Sequence, residues 1–139
     1  KNAIVSADEK ELGQRKLLNF GHTLGHAVES YFLEKGETVL HGEAVAAGMI
    51  MAAKLSTEKA SLPEASFDEI LEVLANFYPK LEWPQEDEMY ILKWLSHDKK
   101  NDAGALRFTL LREIGEGIFD VPVTFEEAAI TVRWYAETV

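Results

Sequence analysis

The stretch from Glu11 to Glu29 concentrates its reactive side chains on one side of a predicted helix. Each residue of an α-helix advances by about 100° around the axis. On that geometry six polar residues fall within an arc of about 80°, namely Glu11, Arg15, Asn19, His22, His26 and Glu29. Apolar residues recur at steps of three and four on the other side, which is typical of a helix with one face in a core.

The residue types of this strip indicate a functional site more than a solvated surface. Solvated helix faces are usually built from Lys and Glu, whereas this strip contains an Asn and two His. Gly21 and Gly25 flank the strip, and each costs roughly 1 kcal/mol of helix propensity relative to Ala. We expect them to permit the close approach of another element or a ligand.

Three of the four histidines lie close together in the sequence and predict a shared metal site. His22 and His26 are four residues apart, so both rings project on the same side of a helix. His41 follows at the start of the next predicted helix. Metalloprotease helices carry a glutamate directly after the first His, but Thr23 stands there and argues against a protease. A carboxylate would complete the site, and the candidates are Glu11, Glu29, Glu43 or a residue outside this chain.

Charge and composition narrow the classes of partner. The 139 residues contain 14 Lys and Arg against 24 Asp and Glu, a formal net charge of −10, so we expect neither nucleic acid nor a membrane surface as partner. There are no cysteines, which excludes disulfides and thiolate metal sites, and we expect a cytoplasmic protein.

The adjacent Lys99 and Lys100 predict either a solvated turn or a local phosphate site.

The periodicity predicts a mainly α single domain with one small β-hairpin. Helices are expected over residues 1–35 with Gly36 as the stop, over 42–60, from a Ser66–Glu69 capping box to Tyr78, and over 85–96. The runs 105–111 and 118–123 predict the hairpin, with Pro122 on an edge strand. Thr124 and Glu127 form a capping box for the last helix. The chain begins with Lys1 and has no dinucleotide fingerprint, so we expect it to be part of a longer protein whose cofactor fold lies elsewhere.

Three sequence blocks resemble the 3-dehydroquinate synthase family. They are LNFGHTLGHAVE over 18–29, LHGEAVAAGM over 40–49 and DKKN over 98–101, and the upstream Glu9, Glu11, Gly13 and Arg15 fit as well. The resemblance covers nearly the whole chain, and its first block is the most specific. It implies a two-domain enzyme, with an N-terminal α/β domain that binds NAD and a mainly helical C-terminal domain. Residues 1–139 resemble that C-terminal domain.

The resemblance also implies roles for individual residues. His22 and His41 would bind the metal (Zn²⁺ or Co²⁺), with a glutamate of the other domain as third ligand, and His26 would transfer protons. Contacts to the substrate would come from Lys1, Arg15 and Asn19, with Glu11 orienting them and one of Lys99 and Lys100 on the phosphate. The family converts 3-deoxy-D-arabino-heptulosonate 7-phosphate into 3-dehydroquinate and phosphate in the shikimate pathway, commonly as a homodimer.

Two alternatives remain open at the level of sequence. Other sugar-phosphate cyclases share the layout, and iron-type alcohol and glycerol dehydrogenases have a similar HxxxH…HG pattern, although Arg15, Asn19 and the Lys99–Lys100 pair favour a phosphorylated substrate. A non-catalytic helical metal-binding module is the second alternative. It predicts tight metal binding by this chain without another domain.

Overall fold

The computed structural model describes residues 20–97 and 105–139, which form five α-helices and one β-hairpin. The elements are α1 His22–Lys35, α2 His41–Lys59, α3 Glu64–Phe77, α4 Glu88–His97 after a 3₁₀ turn at Gln85–Asp87, β1 Ala105–Glu113, β2 Glu116–Thr124 and α5 Phe125–Thr138. The predicted class, mainly helical with a small late hairpin, is confirmed. None of the described helices combines the length and apolar character that crossing a membrane requires.

The first described helix begins later than predicted because Gly21 interrupts it. Gly21 has φ 80° and ψ −9°, a left-handed conformation that ends any helical register coming from Phe20. The prediction of one helix through residues 11–29 is therefore wrong at this position, and residues 1–19 lie outside the described part of the chain. Gly36 ends α1 as predicted, with φ 82° and its N–H donating to the carbonyls of Leu33 and Phe32.

α1 and α2 lie antiparallel, and their backbones touch. Gly25 lies against the backbone of Ala44 and Val45, while Gly48 lies against Gly21 and Gly25. A Cβ placed on Gly48 would stand 2.6 Å from the Gly25 nitrogen, and one placed on Gly25 would stand 3.2 Å from the Ala44 carbonyl oxygen. Larger residues would force the helices apart, which confirms the reason predicted for Gly21 and Gly25.

The hydrophobic core lies between α1, α2, α4, α5 and the inner face of the hairpin. Its buried members include Leu24, Val28, Tyr31, Phe32, Met51, Leu55, Trp83, Ile91, Leu95, Phe108, Leu110, Val132 and Tyr135. In α1 the buried positions recur at three- and four-residue steps, as the sequence predicts. The side of α1 that carries its histidines is consequently left outside the core.

The hairpin is longer than the predicted strands, and its two strands are antiparallel. Pairing runs from Ala105 opposite Thr124 to Glu113 opposite Glu116, around a turn in which Gly115 has φ 84°. The hairpin packs on α2, where many small residues let it approach closely.

Ser56 ties the hairpin to α2. Its buried hydroxyl donates to the Ala52 carbonyl at 2.8 Å and accepts from the Leu111 N–H at 2.9 Å. The register of β1 shifts after Leu111, so this hydroxyl satisfies a backbone donor beside an irregularity of the ladder.

The start of α3 differs from the prediction. The helix begins at Glu64, after Pro63 in an extended conformation, so the Ser66–Glu69 capping box does not form. The Ser66 hydroxyl instead donates to the Glu113 carboxylate of β1. The fixed φ of proline suits the entry to a helix and starts this one earlier, which releases Ser66 for a tertiary contact.

α3 is the least buried of the described helices, since Phe67 is its only buried residue. Val73 and Phe77 are exposed, the latter to 78%. An apolar groove of about 350 Å³ runs along α3, lined by Phe20, Met49, Glu69, Ile70, Val73, Leu74, Leu111, Ile114 and Gly115. This side of α3 is therefore incompletely covered by the described residues.

The capping box at the start of α5 forms as predicted. The Thr124 hydroxyl accepts from the Glu127 N–H at 3.0 Å, and the Glu127 carboxylate accepts from the Thr124 N–H at 2.9 Å. Lys59 of α2 lies 3.0 Å from the same carboxylate. The backbone N–H of Thr124 and, next, the Lys59 ammonium lower the pKa of Glu127 below its ordinary value of 4.5.

We expect Gly48→Ala to lower the free energy of unfolding by roughly 2–3 kcal/mol, because the added methyl meets backbone that cannot rotate away. Gly42→Ala is the matched control in the same helix, since among the described residues its methyl would meet only Tyr78, at 3.7 Å. The control should be neutral or stabilising by up to about 1 kcal/mol. Urea denaturation measures both, and equal stabilities would contradict the close backbone contact.

We expect the Glu127→Gln variant to be less stable than the wild type chiefly above pH 4.5, the ordinary pKa of a glutamate. A carboxyl whose pKa is lowered on folding contributes stability above its unfolded pKa and loses that contribution as the pH falls through its folded pKa. The difference in free energy of unfolding between the two proteins should therefore shrink on acidification. A difference that stays constant from pH 7 to pH 3 would show that the charge of Glu127 has no stabilising role.

Candidate metal and proton-transfer site

Three imidazole rings from two helices converge on one surface of the domain. His22 and His26 of α1 have ring centroids 5.5 Å apart, and the ring of His41 of α2 lies 6.5 Å from the first and 6.4 Å from the second. The rings thus form a nearly equilateral triangle. The structure brings together the three histidines that the sequence singles out.

The helix starts position these rings. His22 is the first residue of α1, directly after the left-handed Gly21, and His26 follows one turn later. His41 is the first residue of α2, after Leu40 in an extended conformation. Because α1 and α2 are antiparallel and joined by a short connection, the start of α2 returns alongside the second turn of α1.

Glu29 is the direct partner of His41. Its two carboxylate oxygens lie 3.0 and 3.2 Å from the Nδ1 of His41. A carboxylate accepts only, so Nδ1 carries the proton in this contact, and the neutral ring keeps its lone pair on Nε2. The His41 side chain is 61% exposed, whereas that of Glu29 is 25% exposed. Glu29 is therefore engaged with a ring nitrogen.

Glu43 is engaged in capping α2. Its carboxylate accepts from the Leu40 N–H at 3.1 Å, and its own N–H donates to the Leu40 carbonyl at 3.0 Å. This contact satisfies a backbone donor at the helix start. Two of the candidate ligand glutamates, Glu29 and Glu43, therefore have other partners in the structure, namely His41 and the backbone N–H of Leu40.

The donor chemistry of the three rings fits a divalent metal such as zinc, but the described residues supply only part of a ligand set. Zinc–nitrogen bonds of about 2.0–2.1 Å in tetrahedral geometry put two ligand rings roughly 5 Å apart. The observed spacings of 5.5–6.5 Å are slightly wider. Among the side chains that the structure describes, no three His, Asp or Glu already stand close enough to hold a metal ion. A complete site would need a further ligand.

The remaining predicted site residues lie outside the described residues. They are Lys1, Glu11, Arg15 and Asn19 before α1, and Lys99 and Lys100 between α4 and β1. Their predicted contacts with a substrate stay predictions.

The contact between Glu29 and His41 was not predicted, although Glu29 belongs to the polar strip. Two features of the sequence carried the signal. Glu29 lies seven residues after His22, which puts both on one face of a helix. Only five residues, 36–40, join the two helices, so an antiparallel pair in which α2 folds back alongside α1 was the simplest arrangement.

The comparison that decides the family is with a family model described as 3-dehydroquinate synthase C-terminal, which matches residues 1–101. The chain belongs to this family. It is 38% identical over 138 residues to the 3-dehydroquinate synthase of Parabacteroides distasonis, covering 99% of this chain and 39% of that protein. The chain therefore spans well under half the length of this curated relative.

Solved structures of sugar-phosphate cyclases share the fold of this chain. A 2-deoxy-scyllo-inosose synthase in complex with carbaglucose-6-phosphate, NAD⁺ and Co²⁺ has a TM-score of 0.77 and 30% identity, over 94% of this chain and 37% of that one. The 2-epi-5-epi-valiolone synthase of Streptomyces hygroscopicus, with NAD⁺ and Zn²⁺ bound, has a TM-score of 0.74 and 26% identity, over 99% of this chain and 37% of that one.

Proposed function

We propose that residues 1–139 form the metal- and substrate-binding C-terminal domain of a 3-dehydroquinate synthase whose NAD-binding domain lies outside this chain. The observation that carries the proposal is the convergence of three imidazoles from α1 and α2. The family match and the partial coverage of a longer relative support it. The whole reaction would convert 3-deoxy-D-arabino-heptulosonate 7-phosphate into 3-dehydroquinate and phosphate.

His22 and His41 would hold the metal. Each stands at the first residue of its helix, where a rigid element fixes its backbone. The engagement of His41 Nδ1 with Glu29 leaves Nε2 as the ligand atom. Because the described residues supply too few ligands, a third would come from a glutamate of the NAD-binding domain. When bound, the metal supplies Lewis acidity that eases loss of a hydroxyl proton.

His26 would act as the proton-transfer residue. Its side chain is exposed on the same face as His22, one helical turn further along α1. Its ring lies 5.5 Å from that of His22 and 6.4 Å from that of His41, so it adjoins any substrate held between them. An exposed imidazole in this position can accept a proton from a substrate and return it.

The substrate's phosphate and carboxylate need cations, because the chain as a whole carries a formal charge of −10. Lys1 and Arg15, with one of Lys99 and Lys100, would supply them, and Asn19 and Glu11 would orient the hydroxyl groups. These residues would bind and position the substrate for a transient oxidation, phosphate elimination, reduction and aldol closure. NAD supplies the redox chemistry when it is bound.

The structural similarity to other cyclases favours a second candidate, a cyclase that makes another carbocycle. The fold match to the 2-deoxy-scyllo-inosose synthase supports this candidate. Against it, the chain is 38% identical to a 3-dehydroquinate synthase and 30% and 26% identical to the two other cyclases. The two candidate enzymes differ in the sugar phosphate that they accept as substrate, so an assay of substrate preference separates them.

We expect this chain alone, with NAD and Zn²⁺, to release no phosphate from the heptulosonate phosphate, because the cofactor domain is absent. A chimera in which it replaces the aligned part of the Parabacteroides distasonis enzyme should release phosphate and form 3-dehydroquinate. The same chimera carrying His26→Ala serves as the control with strongly reduced activity. A folded, Zn²⁺-loaded chimera that acts only on another sugar phosphate would favour the second candidate.

We expect His22→Ala and His41→Ala to remove the metal from that chimera, whereas His26→Ala keeps the metal and lowers kcat by about 10²–10⁴-fold, as for loss of a general acid–base residue. Metal content by atomic emission, measured beside kcat, separates the two roles. Loss of metal from the His26 variant would mean that all three rings are ligands. Tight stoichiometric Zn²⁺ binding by the 139-residue chain alone would favour the non-catalytic module.

A further inference from the structure

In the contact between Glu29 and His41, Glu29 lies on a well-packed stretch of helix and His41 is exposed. Glu29 follows Val28, which is completely buried, and precedes the buried Tyr31 by half a turn, so packing fixes its stretch of α1. His41 stands at the start of α2 with 61% of its side chain exposed. The backbone that carries the carboxylate is thus held in place, and the exposed ring is the group whose orientation the contact can determine.

Both carboxylate oxygens of Glu29 lie within hydrogen-bond distance of the same ring nitrogen, Nδ1 of His41. Oε1 lies 3.0 Å and Oε2 3.2 Å from Nδ1. This geometry restrains rotation of the imidazole, and it fixes the tautomer because an ionised carboxylate cannot donate. We infer that Glu29 is a positioning residue that holds His41 with its proton on Nδ1 and so presents Nε2 for metal binding. This inference rests on the proposed function, in which His41 is a ligand.

Glu29 also links the two helices that carry the rings. It shares one face of α1 with His22, seven residues earlier, while its partner belongs to α2. The contact therefore fixes the ring of one proposed ligand relative to the helix that carries the other. Carboxylates in this relation to a metal-bound histidine typically change metal affinity about 10–100-fold when removed.

A plain surface ion pair is the competing interpretation, and it predicts a different state of the ring. An ion pair requires a ring with protons on both nitrogens, which cannot bind a metal. The positioning role requires a neutral ring whose proton lies on Nδ1. The nitrogen that carries the proton of the neutral ring, and the dependence of Zn²⁺ affinity on the Glu29 carboxylate, therefore separate the two interpretations.

The experiment compares three forms of the 139-residue chain labelled with ¹⁵N-histidine: wild type, Glu29→Gln and the control Glu34→Gln. The control removes an equal charge from the same helix, where Glu34 pairs with Lys93 at 3.1 Å instead of with a histidine. Two-bond ¹H–¹⁵N spectra at pH 8 report the tautomer of His41 without metal. A Zn²⁺ titration followed by the same resonances then gives the affinity, and circular dichroism checks that each variant is folded.

We expect His41 to carry its proton on Nδ1 in the wild type and in Glu34→Gln, and to lose this preference in Glu29→Gln. The Zn²⁺ affinity should fall about 10–100-fold in Glu29→Gln and stay within twofold in Glu34→Gln. A wild-type His41 with its proton on Nε2, or equal Zn²⁺ affinities of wild type and Glu29→Gln, would overturn the inference. Because the third proposed ligand lies outside this chain, the wild type should bind Zn²⁺ only weakly. If neither His22 nor His41 responds even to a large excess of Zn²⁺, the proposed metal site fails, while the Nδ1 comparison still decides the role of Glu29.

Discussion

The direct backbone contact between α1 and α2 is the constraint on which the site depends. At Gly25 and Gly48 the two helices meet main chain against main chain, so the register of one against the other is set by rigid backbone. With that register, residue 21 faces residue 49, residue 25 faces residue 45, and Glu29 reaches His41. A side chain inserted at the crossing would separate the rings without touching any of them. The roughly 1 kcal/mol of helix propensity that each glycine sacrifices is offset by this geometry.

Placing both proposed ligands at the first residue of a helix has a further effect. The backbone N–H groups of a first turn have no partners within the helix, and polar groups gather there. At the start of α2, Glu43 takes up the Leu40 N–H, while Glu29 reaches His41 from the neighbouring helix. The two carboxylates have separate tasks, one for the backbone and one for the ring. This division leaves the imidazoles as the groups that face outward together.

Much of the fold follows from local sequence signals, and its departures have physical causes. The Thr124–Glu127 box, the stop at Gly36 and the hairpin depend on neighbouring residues and were predicted. The break at Gly21 was not, because helical periodicity continues on both sides of it in the sequence. The close approach of Met49, which leaves no room for a Cβ at residue 21, is a tertiary contact.

The candidate site shows the same division between local and tertiary causes. The convergence of His22 and His41 was expected from their places in the sequence. The pairing of Ser66 with Glu113 and of Glu29 with His41 joins residues 47 and 12 positions apart. From the sequence, Ser66 could equally cap its own helix and Glu29 could equally bind the metal. Sequence spacing alone does not show which of these contacts forms.

The sparse burial of α3 has a consequence for the dynamics of the domain. A helix that is anchored chiefly through Phe67 can detach while the core around α1 and α2 stays intact. Its amides should exchange with deuterium before those of α2, and a protease should cut there first. Each such opening would expose Ile70 and Leu74 beside the already exposed Phe77, so concentrated solutions of the isolated domain should aggregate by way of this helix.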